Sequence, residues 1–242
     1  MRQAVFIALA VGGSTVLGGA IGYLFPFRGK RLPGRVFAFA GGVMLAASVA
    51  DLILPALEGQ AGFPLAGRLI SVMLGGVLIT MMGAFVPFLE RRLTKGAENP
   101  RLRGALLFVL AVAMHNLPEG LACGAALGQG MAAALPLTVG VAAQNVPEGM
   151  IVIPPLTGAG VGRKKALLVS ALTGAIEVFG VFCGRFAAGL SEAVLPYLLC
   201  VTGGAMSFII CTDVLATEGD GAGRGFSFLF GMCLLFALIS VF

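Results

Sequence analysis

The sequence predicts an all-α, polytopic membrane bundle of eight transmembrane helices, and three observations lead there. Apolar residues fill 58% of the 242 positions and charged residues only 11%, a balance foreign to an ordinary soluble domain. Gly reaches 37 residues and Trp is absent, which further sets the chain apart from an ordinary soluble domain. Polar and Gly/Pro-rich breaks cut the chain into eight mostly apolar stretches, each near the roughly 20 residues that cross a bilayer at about 1.5 Å per residue.

The stretches fall near 3 to 25, 35 to 57, 67 to 89, 104 to 127, 132 to 157, 166 to 189, 193 to 216 and 225 to 242. The first follows Arg2 and has the basic start and apolar run of a signal peptide. Its apolar character continues unbroken to Phe25, and an eighth span completes an even count, so a retained helix is expected. The connections are too short to hold a soluble domain. Residues 1–242 are therefore read as a single membrane domain.

The formal charge of +5 could suggest nucleic acid, but its distribution sets topology instead. Arg28, Lys30, Arg31 and Arg35 lie between spans one and two; Arg91, Arg92, Lys95, Arg101 and Arg103 between three and four. Arg163, Lys164 and Lys165 follow span five, and Arg224 follows span seven. Only Arg2, Arg68 and Arg185 lie on the other side. Short loops rich in Lys and Arg stay cytoplasmic, so both termini are expected outside and no nucleic-acid partner is expected. Cys123, Cys183, Cys200, Cys211 and Cys233 stand singly in apolar runs without CxxC spacing, and read as small packing residues.

Spans four and five carry the chemistry. Span four reads AVAMHNLPEGLACG and span five GVAAQNVPEGMIVI, so Asn, Pro, Glu and Gly recur in one order 29 residues apart. The turn between them lies near Gln129, 14 residues from His115 and 15 from Gln144. The hairpin thus brings both motifs to one depth, roughly 20 Å from the turn. Residues four apart share a helix face: His115 stands over Glu119, and Gln144 over Glu148, while Asn116 and Asn145 point partly aside. Pro118 and Pro147 lack an N–H and are expected to free the carbonyls of Met114 and Ala143 and to bend both helices. Gly120 and Gly149 are expected to loosen the next turn. Broken helices at this depth are a recurring way to build ion sites.

Glu177, in SALTGAIEVFG of span six, lies 12 residues from Lys165 and so at a similar depth. Three central carboxylates without a basic partner would cost on the order of 8 to 10 kcal/mol if ionised and unpaired. Either they are protonated or a cation sits among them. Carboxylate, imidazole and amide oxygen suit Zn²⁺, Fe²⁺, Mn²⁺, Co²⁺ or Cd²⁺ better than Cu(I), Ca²⁺ or Mg²⁺. Hydrogen-bonded packing is the competing account of any one of these residues taken alone.

HNLPEG and QNVPEG, with Glu177 on the following span, resemble the paired signature of the ZIP (zinc/iron-regulated transporter-like) metal transporters, in a bacterial-type form. Over the whole chain, the resemblance implies divalent metal transport, Zn²⁺ foremost and Cd²⁺, Fe²⁺, Mn²⁺ or Co²⁺ as further cargo, with no cofactor. It implies a binuclear centre: His115, Glu119, Gln144 and Glu148 at one position, Asn116, Glu119, Asn145, Glu148 and Glu177 at the other. Helices 1, 4, 5 and 6 would move as a bundle against a scaffold of 2, 3, 7 and 8, in a homodimer with elevator-like alternating access.

Span two, AGGVMLAASVADLILPALE, is similar to the family's second helix, where Met44 would add a thioether to the first position; Met44 as a flexible packing residue is the alternative. Asp51 lies seven residues outward on the same helix side and reads as a cation-attracting entrance group, or as a structural hydrogen-bonded Asp. Glu58 reads as a solvated end. Many members carry His where Gln144 stands, and an acid or His where Asn145 stands, which weakens the expected second position. The segment from Arg91 to Arg103 lacks a His-rich tract. Asp213 and Glu218, at the inner end of span seven, could form an exit site or an interfacial cap.

The alternative function is a membrane-embedded metal-dependent hydrolase, since His, Glu and a bound water could attack an ester or peptide. A lone histidine argues against it, because catalytic zinc commonly takes two or three, and HNLPE is not HExxH. The expected location is integral to a membrane, with a bacterial inner membrane favoured by the lack of a large luminal domain.

Overall fold

In hydrocarbon every backbone N–H and C=O must find its partner inside the protein, which leaves the helix as the structure open to these apolar segments. The computed structural model describes residues 1–25, 31–58, 64–93, 99–186, 188–214 and 221–240, and among them no strand occurs. Eight helical rods follow in order. They are α1 (Arg2–Leu24), α2 (Arg31–Ala47, continued by Ser48–Ile53 and Leu54–Glu58), α3 (Leu65–Leu93) and α4 (Pro100–Ala126). After them come α5 (Met131–Gly158), α6 (Arg163–Phe186), α7 (Ala188–Ile209, continued by Ile210–Val214) and α8 (Gly221–Ile239). Among the described residues, five stretches are long and apolar enough by themselves to cross a membrane, in α1, α2, α4, α6 and α8. Shorter apolar stretches, Leu65–Met81 and Pro196–Thr212, lie in α3 and α7.

The expected order of eight spans is therefore met, with differences that have local causes. The boundary expected at 189–193 lies earlier, since α6 ends at Phe186 and α7 starts at Ala188; no Pro, Asn or Asp marks that turn in the sequence. α4 and α5 run as helix through Pro118 and Pro147, so the motif helices are not broken as expected. A proline removes one intrahelical bond, but neighbours packed along both sides hold these rods continuous. The irregular turns lie elsewhere, as π-helical segments at Ser48–Ile53 and Ile210–Val214. At the first, Ser48 Oγ donates to the Gly203 carbonyl at 2.7 Å and lies 2.9 Å from Ser207 Oγ, tying the widened turn of α2 to α7.

The ends are held by polar contacts of different kinds. Asn99 caps α4, its Oδ1 accepting from Leu102 N at 3.1 Å while its Nδ2 donates to the Ala159 carbonyl at the end of α5. Arg163 donates to the Tyr23 carbonyl and lies over the Tyr23 ring, 4.8 Å from its centroid, joining α6 to the end of α1. At the opposite face the buried Arg68 of α3 donates to the carbonyls of Ala56 and Leu57 at 3.0 and 2.7 Å. It caps the C-terminal end of α2, where carbonyls lack intrahelical partners.

The rods pack most extensively as α4 on α6 and α1 on α5 and α6, and separately as α2 on α8 and α3 on α7. α4 with α7 and α2 with α5 join the two sets less broadly. The largest apolar cluster includes Met44, Val112, Ile151, Met206 and Ile210. Arg28, Lys30, Lys95 and Glu218 lie outside the described residues, as do the side chains of Arg31, Arg91, Arg92 and Asp213, so the exit site expected at Asp213 and Glu218 lies outside them too.

Candidate metal centre

Helical spacing puts His115 and Glu119 on one face of α4, and Gln144 and Glu148 on one face of α5. The hairpin turns through Leu127–Gln129 and Gly130, whose φ of 112° is open to glycine. It brings His115 Nε2 to 3.0 Å from Glu148 Oε2. The two hexads thus meet directly, at one depth. His115, Asn116, Glu119, Gln144, Asn145, Glu148 and Glu177 are each at most 1% exposed, so bulk water does not satisfy them.

α1 and α6 complete the cluster. Asn145 Nδ2 lies 2.7 Å from both Oε1 and Oε2 of Glu177 and donates to the Val11 carbonyl at 3.1 Å. Thr15 Oγ1 donates to Glu177 Oε2 at 3.4 Å. Asn116 Nδ2 donates to the Thr173 carbonyl at 3.3 Å. Thr15 was not singled out by sequence reasoning. Its signal is modest: with Ser14 it forms the polar pair in the middle of an otherwise apolar first span.

The glycines of the two hexads have a different task from the one expected. A Cβ at Gly120 would run into the Glu177 carbonyl of α6, and a Cβ at Gly149 into the Thr15 carbonyl of α1. Both glycines admit a neighbouring backbone rather than loosen a turn, as small residues do at close helix crossings in membranes. The same two approaches carry Glu177 and Thr15 to the site.

Seven buried polar atoms of the hexads have no hydrogen-bond partner: His115 Nδ1, Asn116 Oδ1, both Oε of Glu119, Gln144 Oε1, Asn145 Oδ1 and Glu148 Oε1. Six are oxygens, which accept and, as amide oxygens or carboxylates, cannot donate. Leaving such a group unpaired costs about 1–3 kcal/mol each, so a concentration of them at one level suits a cation. Among the described residues no three His, Cys, Asp or Glu side chains stand together as a ready ligand set. A cation held here would need amide oxygens beside the imidazole and carboxylates.

Asp51 sits in the π-helical turn of α2, with its Oδ2 buried and unpaired. A Cβ added to Gly140 of α5 would lie 2.5 Å from that oxygen, so the Asp51 carboxylate rests against α5 one helical turn before Gln144. Turns of this kind recur at functional sites. Met44 is fully buried in the largest apolar cluster, against which Met114 of α4 also packs. Glu58 is exposed.

Comparison with known proteins bears on the same residues. The family model described as ZIP Zinc transporter matches residues 90–241. "Zinc transporter GufA" of Myxococcus xanthus is 32% identical over 181 residues, covering 71% of this chain and 70% of that protein. "Zinc transporter ZIPB" of Bordetella bronchiseptica is 32% identical over 222 residues, covering 84% of this chain and 72% of its own. "Zinc transporter ZupT" of Clostridium perfringens is 29% identical over 245 residues, covering 89% and 86%.

Proposed function

The chain belongs to the ZIP zinc transporter family and is an integral membrane transporter of divalent metal ions, and from that premise we propose that Zn²⁺ is its main cargo and crosses through the hexad cluster. Cd²⁺ is the natural second cargo, accepted by the same mixture of imidazole, carboxylate and amide oxygen. The observation that carries this reading is the set of buried, unpaired acceptors on α4 and α5. The hydrolase alternative has no support in the relatives, whose names are those of transporters.

The proposed path begins outside at Asp51. A hydrated cation reaching this carboxylate passes one turn inward along α5, and exchanges water for His115, Glu119, Gln144 and Glu148. Met44 stands as an additional soft donor on α2. Each carboxylate and the imidazole can instead take a proton, so protons compete with the cation for the same atoms and assist its release. Inward direction follows the family resemblance alone.

The helix packing supports a division into a moving set, α1, α4, α5 and α6, and a scaffold, α2, α3, α7 and α8. Close backbone approaches run within each set, as at Gly149 of α5 against α1 and at Gly231 of α8 against Phe39 of α2. Between α5 and the scaffold helices α2 and α8 lies a cavity of about 320 Å³, bordered by Phe39, Pro147, Met150 and Phe230. The gap lies on the boundary between the two sets, where one would move against the other in alternating access. A homodimer, as the family resemblance implies, completes the proposal.

The test is Zn²⁺ and Cd²⁺ flux into proteoliposomes, comparing the unmodified chain with Glu119→Ala and Glu148→Ala at matched reconstitution. Flux in the unmodified chain and its loss in both variants is expected. Metal binding without any flux would overturn transport through this site.

A further inference from the structure

The amide of Asn145 is held in one orientation by its neighbours. Its Nδ2 is 2.7 Å from each carboxylate oxygen of Glu177 and 3.1 Å from the Val11 carbonyl. A carbonyl oxygen only accepts, and so does an ionised carboxylate. Turning the amide over would set Oδ1 against the Val11 carbonyl and, with Glu177 ionised, against both of its oxygens, so the nitrogen faces Glu177.

The position of that nitrogen matters as much as its identity. Equal distances to Oε1 and Oε2 put it where a cation chelated by the Glu177 carboxylate would sit. Thr15 Oγ1, 3.4 Å from Oε2, adds a second donor from α1. Glu177 is thereby supplied with hydrogen bonds, in contrast to Glu119, whose two oxygens have no partner. Asn116 follows the same sense, with Nδ2 spent on the Thr173 carbonyl and Oδ1 unpaired. An aspartate at position 145 could not donate; ionised, it would face Glu177 as a like charge and call for a cation between them.

We infer that Glu177 in this chain is a positioning residue that anchors Asn145, and that the mid-membrane site holds one divalent cation at a time, with the Asn145 amide standing where the second ion of a binuclear centre would be. The inference rests on the reading of the hexads as the metal path. It departs from the binuclear arrangement that the sequence resemblance implies. The residue type at 145 then decides between an amide-closed and a two-ion centre.

The test is the Cd²⁺ stoichiometry of the purified full-length chain in lipid nanodiscs, by equilibrium dialysis and elemental analysis. One Cd²⁺ per chain is expected, rising to two in Asn145→Asp. Glu177→Gln, whose amide oxygen still accepts from Asn145, is expected to keep one ion at unmodified affinity. Glu177→Ala leaves the Asn145 amide without its anchor and is expected to lower Cd²⁺ affinity where Glu177→Gln does not. Two ions on the unmodified chain would overturn the inference while leaving the transport path standing. No bound ion would overturn both. A single ion in Asn145→Asp would show that the amide does not close the second position. If that variant is not monodisperse, Glu177→Gln decides: an unchanged single ion supports the anchor, and loss of an ion overturns it.

Discussion

His115 Nε2 on α4 and Glu148 Oε2 on α5 stand 3.0 Å apart with both side chains buried, and this contact joins the two hexads. Each residue is the other's polar partner in a region closed to water. Breaking a buried ion pair by deleting one member costs about 3–5 kcal/mol when both are charged.

His115→Ala and Glu148→Gln are therefore expected to do two things. Zn²⁺ flux falls at least about tenfold in each, the effect of losing roughly 1.4 kcal/mol of binding. Zn²⁺ also ceases to raise the unfolding temperature, because a ligand stabilises only the state that binds it. A thermal scan with and without Zn²⁺, run beside the flux assay, checks this; a full Zn²⁺-dependent shift in His115→Ala would remove the imidazole from the site.

Asp51 rests against Gly140, one helical turn from Gln144, and if it is the proposed entrance group its replacement separates capture from passage. In Asp51→Asn the KM for Zn²⁺ is expected to rise while the maximal rate changes little, since an entrance charge acts on encounter. Flux measured across Zn²⁺ concentrations at two ionic strengths reads this out. A lower maximal rate at unchanged KM would instead make Asp51 a structural residue.

The close approaches at the hexad glycines predict a contrast among alanine substitutions. Gly13→Ala meets nothing within 4 Å and is expected to be neutral or to stabilise α1 by about 0.5–1 kcal/mol, the helix preference for alanine. Gly120→Ala and Gly149→Ala press on the backbones of α6 and α1, and overpacking of this sort costs about 1–3 kcal/mol. Unfolding temperatures in one detergent decide it, and equal values for all three variants would refute the contrast.

Arg68 caps α2 through the carbonyls of Ala56 and Leu57. Hydrogen bonds from a charged donor contribute about 1.5–3 kcal/mol each, so Arg68→Ala is expected to lower the unfolding temperature clearly. Lys offers one compact donor group instead of a fork, and Arg68→Lys is expected to recover part of the loss. The same thermal scan checks both.

Eight spans, their order and the common level of the two hexads were legible in the sequence, because crossing a bilayer imposes a length and a hairpin imposes a register. The paired hexads were equally legible: polar residues repeated inside apolar helices stand out without any structure. Tertiary structure alone decided what each motif residue touches. Val11 lies 134 residues from Asn145, and Glu177 lies 32, so the direction of that amide depends on α1 and α6 folding against α5. The hexad glycines likewise gain their meaning from backbones brought to them from elsewhere in the chain, and the widened turn around Asp51 from Ser48 reaching α7. Periodicity reports which face of a helix a residue occupies; which neighbour meets that face is set by packing between distant segments.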